Sequence, residues 1–216
     1  MADNYLGRKM EEYFAQKGAP QKRYKVSLTT LLAKNRSHRA YDASFKVREE
    51  QLRQIVEVNR LVASARNQQV LRFRLVLGEE AERLLPLVRL GAALPEMRFP
   101  PEGQEPNAFI VICSEKEGRY VDIDTGISAQ SMLLRAVELG LNGICIAAFD
   151  RVEVSRLLHL PCEPLLVLAI GRGAEQIELE EIGAEESHHY YRRGEKHIVP
   201  KVRLEEIIIE AQSDKK

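Results

Sequence analysis

The chain has few cysteines, and their arrangement limits what they can do. The three are Cys113, Cys145 and Cys162; they form no CxxC pair, and their odd number argues against a disulfide framework or a structural zinc site. Two of them lie inside apolar runs, FIVICS and GICIAA, which is typical of small buried side chains in a reducing compartment. We therefore predict neither disulfides nor a metal centre.

The chain also lacks an excess of either charge and any long apolar run. It has 32 basic and 32 acidic residues, and because nucleic-acid affinity rests largely on clustered positive charge, this balance argues against a polyanion binder. No apolar run approaches the roughly 18 residues of a membrane-spanning helix. The opening residues, MADNYLGRKMEEYF, have neither the basic nor the apolar region of a signal peptide. The sequence thus predicts a cytoplasmic protein that binds no nucleic acid and no membrane.

What is present is an ordinary globular composition, with 44% hydrophobic and 30% charged residues in a chain of 216. Hydrophobic spacing and capping residues predict helices over residues 3–17, 28–34, 48–62, 79–90, 122–139 and 150–158. Apolar runs predict strands over residues 70–77, 107–114, 143–148 and 164–170. Residues 175–186 are acidic and loop-like, and the last apolar run, within 199–210, predicts an edge strand or a short helix. We expect one α+β domain with helices over a single sheet.

The stretch Arg36–Asp42, RSHRAYD, has two arginines flanking a serine where a predicted helix ends. Guanidinium groups match phosphate and carbonyl oxygens, and a serine hydroxyl adds one more hydrogen bond. This pattern indicates an anion-binding segment. A solvated surface with ordinary arginines is the alternative.

The loop at residues 63–69 contains small residues and amides but neither a carboxylate nor a histidine. Small residues permit a flat ring to approach closely, and the amides of Asn67 and Gln69 can bond its polar edge. The composition therefore favours a large, flat, polar-edged ligand. A plain turn after a helix is the alternative.

Two further polar segments lie in the second half of the chain. In residues 139–150 a short strand is followed by Ala147 and Ala148, which lead into a capped helix whose first N–H groups can donate to an electron-rich atom. In residues 199–207, Lys201 and Arg203 are two positions apart, so an extended chain points both the same way and could clamp a phosphate. Simple helix–strand packing and an edge strand with exposed charges are the alternatives.

In their order and spacing these segments resemble the nitroreductase family of FMN-dependent oxidoreductases. The resemblance covers residues 28–208, and it is carried by NRSHRAYD, ASARNQQVLRF, VDIDTGISAQSMLLRAVELGLNGICIAAFD and PKVRLEEIII. It implies one nitroreductase-like domain over residues 1–216, with a helical extension at 1–27 and a polar tail at 209–216. It also implies a central, mostly antiparallel sheet of about four to five strands flanked by helices, in an intertwined homodimer with FMN at the subunit interface.

The resemblance assigns cofactor-binding roles to individual residues. Grouped by the part of FMN that they would meet, they are Arg36, Ser37 and Arg39 for the phosphate and pyrimidine edge, Ser64, Ala65, Asn67 and Gln69 from the partner chain for the ring and ribityl chain, Ala147 and Ala148 for N5, and Lys201 and Arg203 for the phosphate. The chain departs from the family pattern at Asn35, at the two alanines, and at Val70 and Leu71, which stand where a proline and a tryptophan often follow the glutamine of the loop. Many members have a basic residue in place of Asn35, and some have an acidic residue and a glycine in place of the two alanines.

The activity implied by the resemblance is hydride transfer from NADH or NADPH through flavin N5 to an electron-poor molecule such as a nitroaromatic or a quinone. No side chain is expected to act as a catalytic acid or base, because the cofactor carries the redox chemistry. Residues 91–105, around Met97, Arg98 and Phe99, are the expected lid. The alternatives are an FMN-binding protein without turnover, acting in storage or redox response, and other flavin chemistry such as reductive dehalogenation or flavin fragmentation.

Overall fold

The structure is a computed structural model that describes residues 26–91 and 99–210. The helix predicted over residues 3–17 lies outside the described residues. So do residues 92–98 of the expected lid and most of the polar tail.

A four-stranded antiparallel sheet forms the centre of the protein. Its strands, in the spatial order β1-β2-β4-β3, are β1 (Leu71–Leu77), β2 (Ala108–Ser114), β3 (Asn142–Ile146) and β4 (Glu163–Gly171). Every residue of β2 is buried, which explains why its sequence is apolar throughout rather than alternating. The predicted α+β class and the antiparallel central sheet are confirmed.

Helices cover both faces of this sheet. They are α1 (Leu28–Lys34), α2 (Glu49–Glu57), α3 (Gly78–Leu84), α4 (Arg119–Glu138), α5 (Arg151–Leu158) and α6 (Leu204–Ile207). Successive β2 residues point to opposite faces, so Phe109 packs with α3 and α5, and Ile110 packs with α2 and α4. The sheet therefore has a hydrophobic core on each side.

The predicted helices that fall within the described ranges are confirmed, with shifted ends. The predicted helices over 48–62 and 79–90 each finish as a short 3-10 turn, at Val58–Arg60 and Leu85–Leu87. The longest helix in the described part of the chain, α4, begins at Arg119, three residues before the predicted start, and is followed by Gly140 at φ +75°. In α5 the Asp150 side chain caps the first turn by accepting a hydrogen bond from the Glu153 main-chain N–H.

The interpretation of residues 175–186 as a loop is wrong, because most of them form a strand of a second sheet. This sheet has the order β5-β7-β6, with β5 (Gln176–Ile182) parallel to β7 (Lys196–Val202) and β6 (Tyr191–Arg193) antiparallel to it. Cross-strand ion pairs join Glu178 to Lys196 at 2.5 Å and Glu180 to Arg193 at 2.8 Å. The acidic run resembles a loop only when its basic partners, 13 to 18 positions later, are not considered.

The last apolar run forms the short helix α6 rather than a strand. None of the helices in the described ranges is long and apolar enough to cross a membrane.

Candidate functional site

Residues Arg36–Asp42, the arginine strap, lie in extended form across the ends of two central strands. Ser37 pairs with Gly143 of β3, and Tyr41 pairs with Gly173, just after β4. The strap is close to the sheet at both glycines: a Cβ atom on Gly173 would lie 2.3 Å from Nδ1 of His38. Its backbone is therefore fixed by the sheet rather than free in solvent.

Arg36 is a half-buried cation that has little to neutralise it. Its Nη2 donates to the carbonyl of Leu32, at 2.7 Å, on the helix before the strap. Its Nε is buried and has no hydrogen-bond partner among the described residues. Burial lowers the pKa of Arg36, which means that the charged form has lost water without gaining an anion. The neighbouring Ser37 side chain is exposed.

Arg39 is held on several sides but keeps an unused donor. Its Nη1 donates to the carbonyl of Ser37 at 3.0 Å, and its guanidinium carbon lies 4.9 Å from the centre of the Tyr190 ring. A Cβ atom on Gly91 would lie 3.2 Å from its Cδ, so the side chain passes close to the start of the expected lid. Its Nε is buried and unpartnered in the described part of the chain. The strap thus offers two guanidinium groups with donors left for phosphate or carbonyl oxygens.

The alanine pair lies at the far end of β3 from the start of the strap. Ala147 and Ala148 are exposed and follow the last residue of β3, and Arg89 N–H donates to the Ala148 carbonyl at 2.9 Å. Gly143, which pairs with Ser37, precedes Ala147 by four residues, roughly 13 Å along a strand. One chain therefore places the strap and the alanines along one strand, at a spacing that suits a ligand of several fused rings.

The loop Ser64–Gln69, the amide loop, has an unusual backbone. Arg66, Asn67 and Gln69 have φ values of 52°, 53° and 47°, in the left-handed region that non-glycine residues seldom adopt. Its amides bond to one another, with Gln69 Nε2 donating to Asn67 Oδ1 at 3.1 Å. Such a conformation persists only where surrounding contacts impose it, and it is commonest at binding sites.

A buried carboxylate imposes part of that conformation. Both oxygens of Asp124, on α4, accept the main-chain N–H of Ala65, at 2.9 and 3.1 Å. The prediction of site residues omitted Asp124. Its only sequence signal was an acidic residue in VDIDTG near the start of the helix predicted over residues 122–139.

The amide loop opens onto a groove of about 1120 Å³ that runs beside β1, here called the edge groove. Ser64 and Gln69 lie at one end, α2 and the outer side of β1 form its walls, and Asp124 and Ser128 contribute from α4. Among the described strands β1 has β2 as its one neighbour, and residues along β1 line the groove.

The amide loop and the residue just before the strap contact different faces of the same helix, α4. Asp124 holds the loop, whereas Asn35, just before the strap, bonds Gln130 at 3.4 Å. Six helical positions correspond to about 9 Å along the axis and about 120° around it. In the described residues no hydrogen bond joins the loop to the strap.

Lys201 lies on the second sheet and Arg203 directly follows it, whereas the strap pairs with residues of the central sheet and just after it. Lys201 is exposed on β7 opposite Glu181, and Arg203 follows the strand. Arg203 is paired with Glu206, with Nη2 and Oε1 2.8 Å apart, and this partner raises the pKa of Arg203. Across the described ranges no hydrogen bond or ion pair joins either side chain to the strap, so a phosphate clamp built from them stays a prediction.

Comparison with known proteins matches residues 32–172 to a family model described as the nitroreductase family. A Methanocaldococcus jannaschii protein named as a candidate nitroreductase is 37% identical over 57 residues, which are 26% of this chain and 29% of that protein. The chain thus aligns with less than a third of that relative's length.

Two solved structures share the fold. A protein from Exiguobacterium sibiricum named as a candidate nitroreductase, in complex with FMN, has 17% identity and a TM-score of 0.58, covering 72% of this chain and 92% of its own. The FMN- and NADPH-dependent nitroreductase NfnB from Sphingopyxis sp. strain HMH has 21% identity and a TM-score of 0.57, covering 69% and 89%. At these identities the likeness shows the fold alone.

Proposed function

The chain belongs to the nitroreductase family, and from that premise we propose that it is an FMN-dependent oxidoreductase that passes hydride from NADH or NADPH to an electron-poor small molecule. The observation that carries the proposal is the arginine strap, whose two buried Nε donors have no partners among the described residues. The family match ends at residue 172, so the extension of one nitroreductase-like domain over residues 28–208 is part of this proposal.

The residues of the strap fit the two polar ends of FMN. Arg36 has lost hydration without gaining an anion, so a phosphate would restore favourable electrostatics, and the exposed Ser37 hydroxyl can add a hydrogen bond. The Arg39 side chain passes beside Gly91, where a Cβ atom would lie 2.6 Å from the Phe99 ring, so the lack of a side chain there lets Arg39 and Phe99 pack closely. We assign Arg39 to the pyrimidine edge, whose carbonyl oxygens match guanidinium donors.

When bound, FMN supplies the hydride-transfer chemistry at its N5 atom; the residues of this chain bind, orient and shield. The exposed Ala147 and Ala148 carry no bulky or charged side chain, so this part of the site tolerates flat molecules. That openness favours nitroaromatics and quinones as acceptors. Ala147 and Ala148 would place main-chain N–H groups near N5, and Lys201 and Arg203 would approach the phosphate.

The surface of the chain supports assembly into a homodimer. Tyr120, Ile123 and Ile127 are exposed, and their spacing places them on one face of α4. Leu28 and Leu32 of α1, a helix that packs on α4, are exposed as well. Contiguous apolar surface of this kind marks protein interfaces. We propose that two copies meet here, so that Ser64, Ala65, Asn67 and Gln69 of one copy face the strap of the other.

The intertwining of the two copies has its own support in the edge of β1 that no other described strand pairs with. An unpaired strand edge is a template for another extended segment. Ile207, Ile208 and Ile209 are exposed after the second sheet, with Ile209 97% accessible. We propose that this segment of one copy lies in the edge groove of its partner.

The test is the absorption spectrum of the purified protein after incubation with FMN, followed by anaerobic titration with NADH and NADPH. We expect a bound yellow flavin that one of the two nicotinamides bleaches, and whose colour a nitroaromatic or a quinone restores. A protein that remains colourless after incubation would refute the proposal. Bound flavin that neither nicotinamide bleaches would instead indicate a binding protein without turnover, and a screen of halogenated acceptors separates reductive dehalogenation.

A further inference from the structure

The second sheet is joined to the arginine strap through Glu175, the residue that precedes β5. The Glu175 side chain is only 3% exposed. Its Oε2 accepts hydrogen bonds from the main-chain N–H groups of Arg39 and of Ala40, the latter at 3.2 Å, and its Oε1 accepts one from Arg192 at 2.9 Å. A buried carboxylate is stable only when it is paired and hydrogen-bonded, so these three donors fix the position of the Glu175 side chain. Glu175 in turn fixes the Arg39 backbone, whose N–H group is one of the donors.

Tyr190, which precedes β6, determines where the Arg39 guanidinium can lie. Its ring lies under the guanidinium, and its other neighbour is the ring of His197 on β7, with centroids 5.1 Å apart and planes inclined by 29°. His197 is 1% exposed, and its Nδ1 lies 4.0 Å from Glu175 Oε1. The Tyr190 ring therefore packs against the buried His197 ring on one side and the Arg39 guanidinium on the other.

This arrangement reduces the conformational entropy that the Arg39 side chain loses when it binds the flavin. A free arginine side chain has many rotamers, and ordering it on binding reduces affinity. Here the backbone is held by Glu175, the guanidinium rests on Tyr190, and Nη1 is occupied by the Ser37 carbonyl. Nε is buried and has no hydrogen-bond partner within the described ranges, so this donor is not already used by the protein.

We propose that Glu175 and Tyr190 are positioning residues for Arg39, which the second sheet presents to the pyrimidine end of the flavin. This inference rests on the proposed function. Both residues lie beyond residue 172, the end of the family match, so the matched segment alone does not supply this support.

The experiment measures the affinity of the full chain for FMN and for riboflavin, which lacks the phosphate, by quenching of flavin fluorescence. Glu175→Gln keeps the shape but removes the charge, Tyr190→Leu removes the aromatic ring, and Tyr190→Phe keeps it. Glu178→Gln is the matched control, because Glu178 lies on the same sheet in an exposed pair with Lys196. We expect E175Q and Y190L to weaken FMN and riboflavin by the same factor, on the order of tenfold, and Y190F and E178Q to bind as the unmodified chain does.

Loss of stability is controlled with Val167→Ala, which opens a cavity in the middle of β4, and with the melting temperature of each flavin-free variant. Unchanged affinity in E175Q and Y190L, or an equal loss in V167A, would show that the two residues are only structural and overturn the inference. A loss confined to FMN would also overturn it, because Arg39 would then serve the phosphate. If the unmodified chain binds neither flavin, the proposed function itself fails, which is a distinguishable result.

Discussion

At the scale of single residues, small side chains decide how closely the strap can approach the sheet. Gly173 has no Cβ, and the His38 ring occupies the space that one would need. In the sequence His38 lies between Arg36 and Arg39, so the position of its ring influences the backbone from which the two arginine side chains extend. A glycine outside the predicted site thus affects the geometry of the site.

We expect Gly173→Ala to destabilise the protein by about 1–3 kcal/mol, because the added methyl group overpacks against His38. Urea denaturation of the single variant and of the double variant G173A/H38A measures the effect. The double variant should regain part of the lost free energy of unfolding, since removal of the ring makes room. Equal losses in both variants would mean that the close contact is not the cause.

Two buried imidazoles give the stability a pH dependence. Burial, the largest cause, lowers the pKa of both His38 and His197 from the ordinary value of 6.5, against the opposing charge of Glu175 and with the help of Arg39. Below pH 6.5 the unfolded chain binds protons that the folded chain does not, so the free energy of unfolding should fall as the pH decreases through and below 6.5.

The variant His197→Phe keeps a ring beneath Tyr190 but cannot titrate. We expect its free energy of unfolding, measured in urea between pH 7.5 and pH 5, to fall less steeply than that of the unmodified chain. Parallel curves would contradict a contribution from His197.

At the scale of elements, the amide loop is held in a left-handed conformation by its link to α4. Because both Asp124 oxygens accept the Ala65 N–H, removal of the carboxylate leaves a part-buried donor without this partner. Loss of this hydrogen bond therefore destabilises the loop that the proposed flavin site requires.

We expect Asp124→Ala to lower the free energy of unfolding by about 1.5–3 kcal/mol, the range for a hydrogen bond to a charged group. Amide hydrogen exchange of residues 64–69 should accelerate more than exchange in β2. Asp122→Ala, an exposed position two residues earlier on the same helix, is the control and should change neither quantity.

The elements that sequence reasoning predicted well are those whose signal is local. The central strand β2 is a continuous apolar run, and Asp150 caps α5 within four residues. The second sheet was missed because β5 is stabilised by basic residues that follow much later in the chain, and Glu175 carries no motif. Of the site, the strap could be identified from its arginines, whereas Asp124, Glu175 and Tyr190 act through contacts that only the fold creates.

At the scale of the whole molecule, one chain contains the strap, the alanine pair and the amide loop of the proposed flavin site, but it does not bring the loop to the strap. The strap and the alanine pair lie along β3, whereas the amide loop lies on another face of α4. A second copy, docked on the exposed face of α4, would bring its own loop to the strap. The apolar surface and the proposed cofactor site are therefore parts of one hypothesis.

We expect Ile127→Glu to convert a dimer into monomers, since it places a charge at the centre of the proposed interface, and to abolish FMN binding at the same time. Sedimentation velocity and flavin content measure the two effects. Val152→Glu, on the exposed surface of α5, is the control and should leave both unchanged. A monomeric I127E that still binds FMN would contradict a shared site.

The most direct measurement is the flavin content of a mixed dimer, purified by two different tags, of Arg39→Glu and Ser64→Trp chains. Each variant alone should bind almost no FMN, because each of its two sites lacks one half. The mixed dimer should recover about half of the normal flavin content, since a two-fold assembly then contains one site with an intact strap and an intact loop. A mixed dimer that binds no FMN would contradict the claim that two chains build the site together.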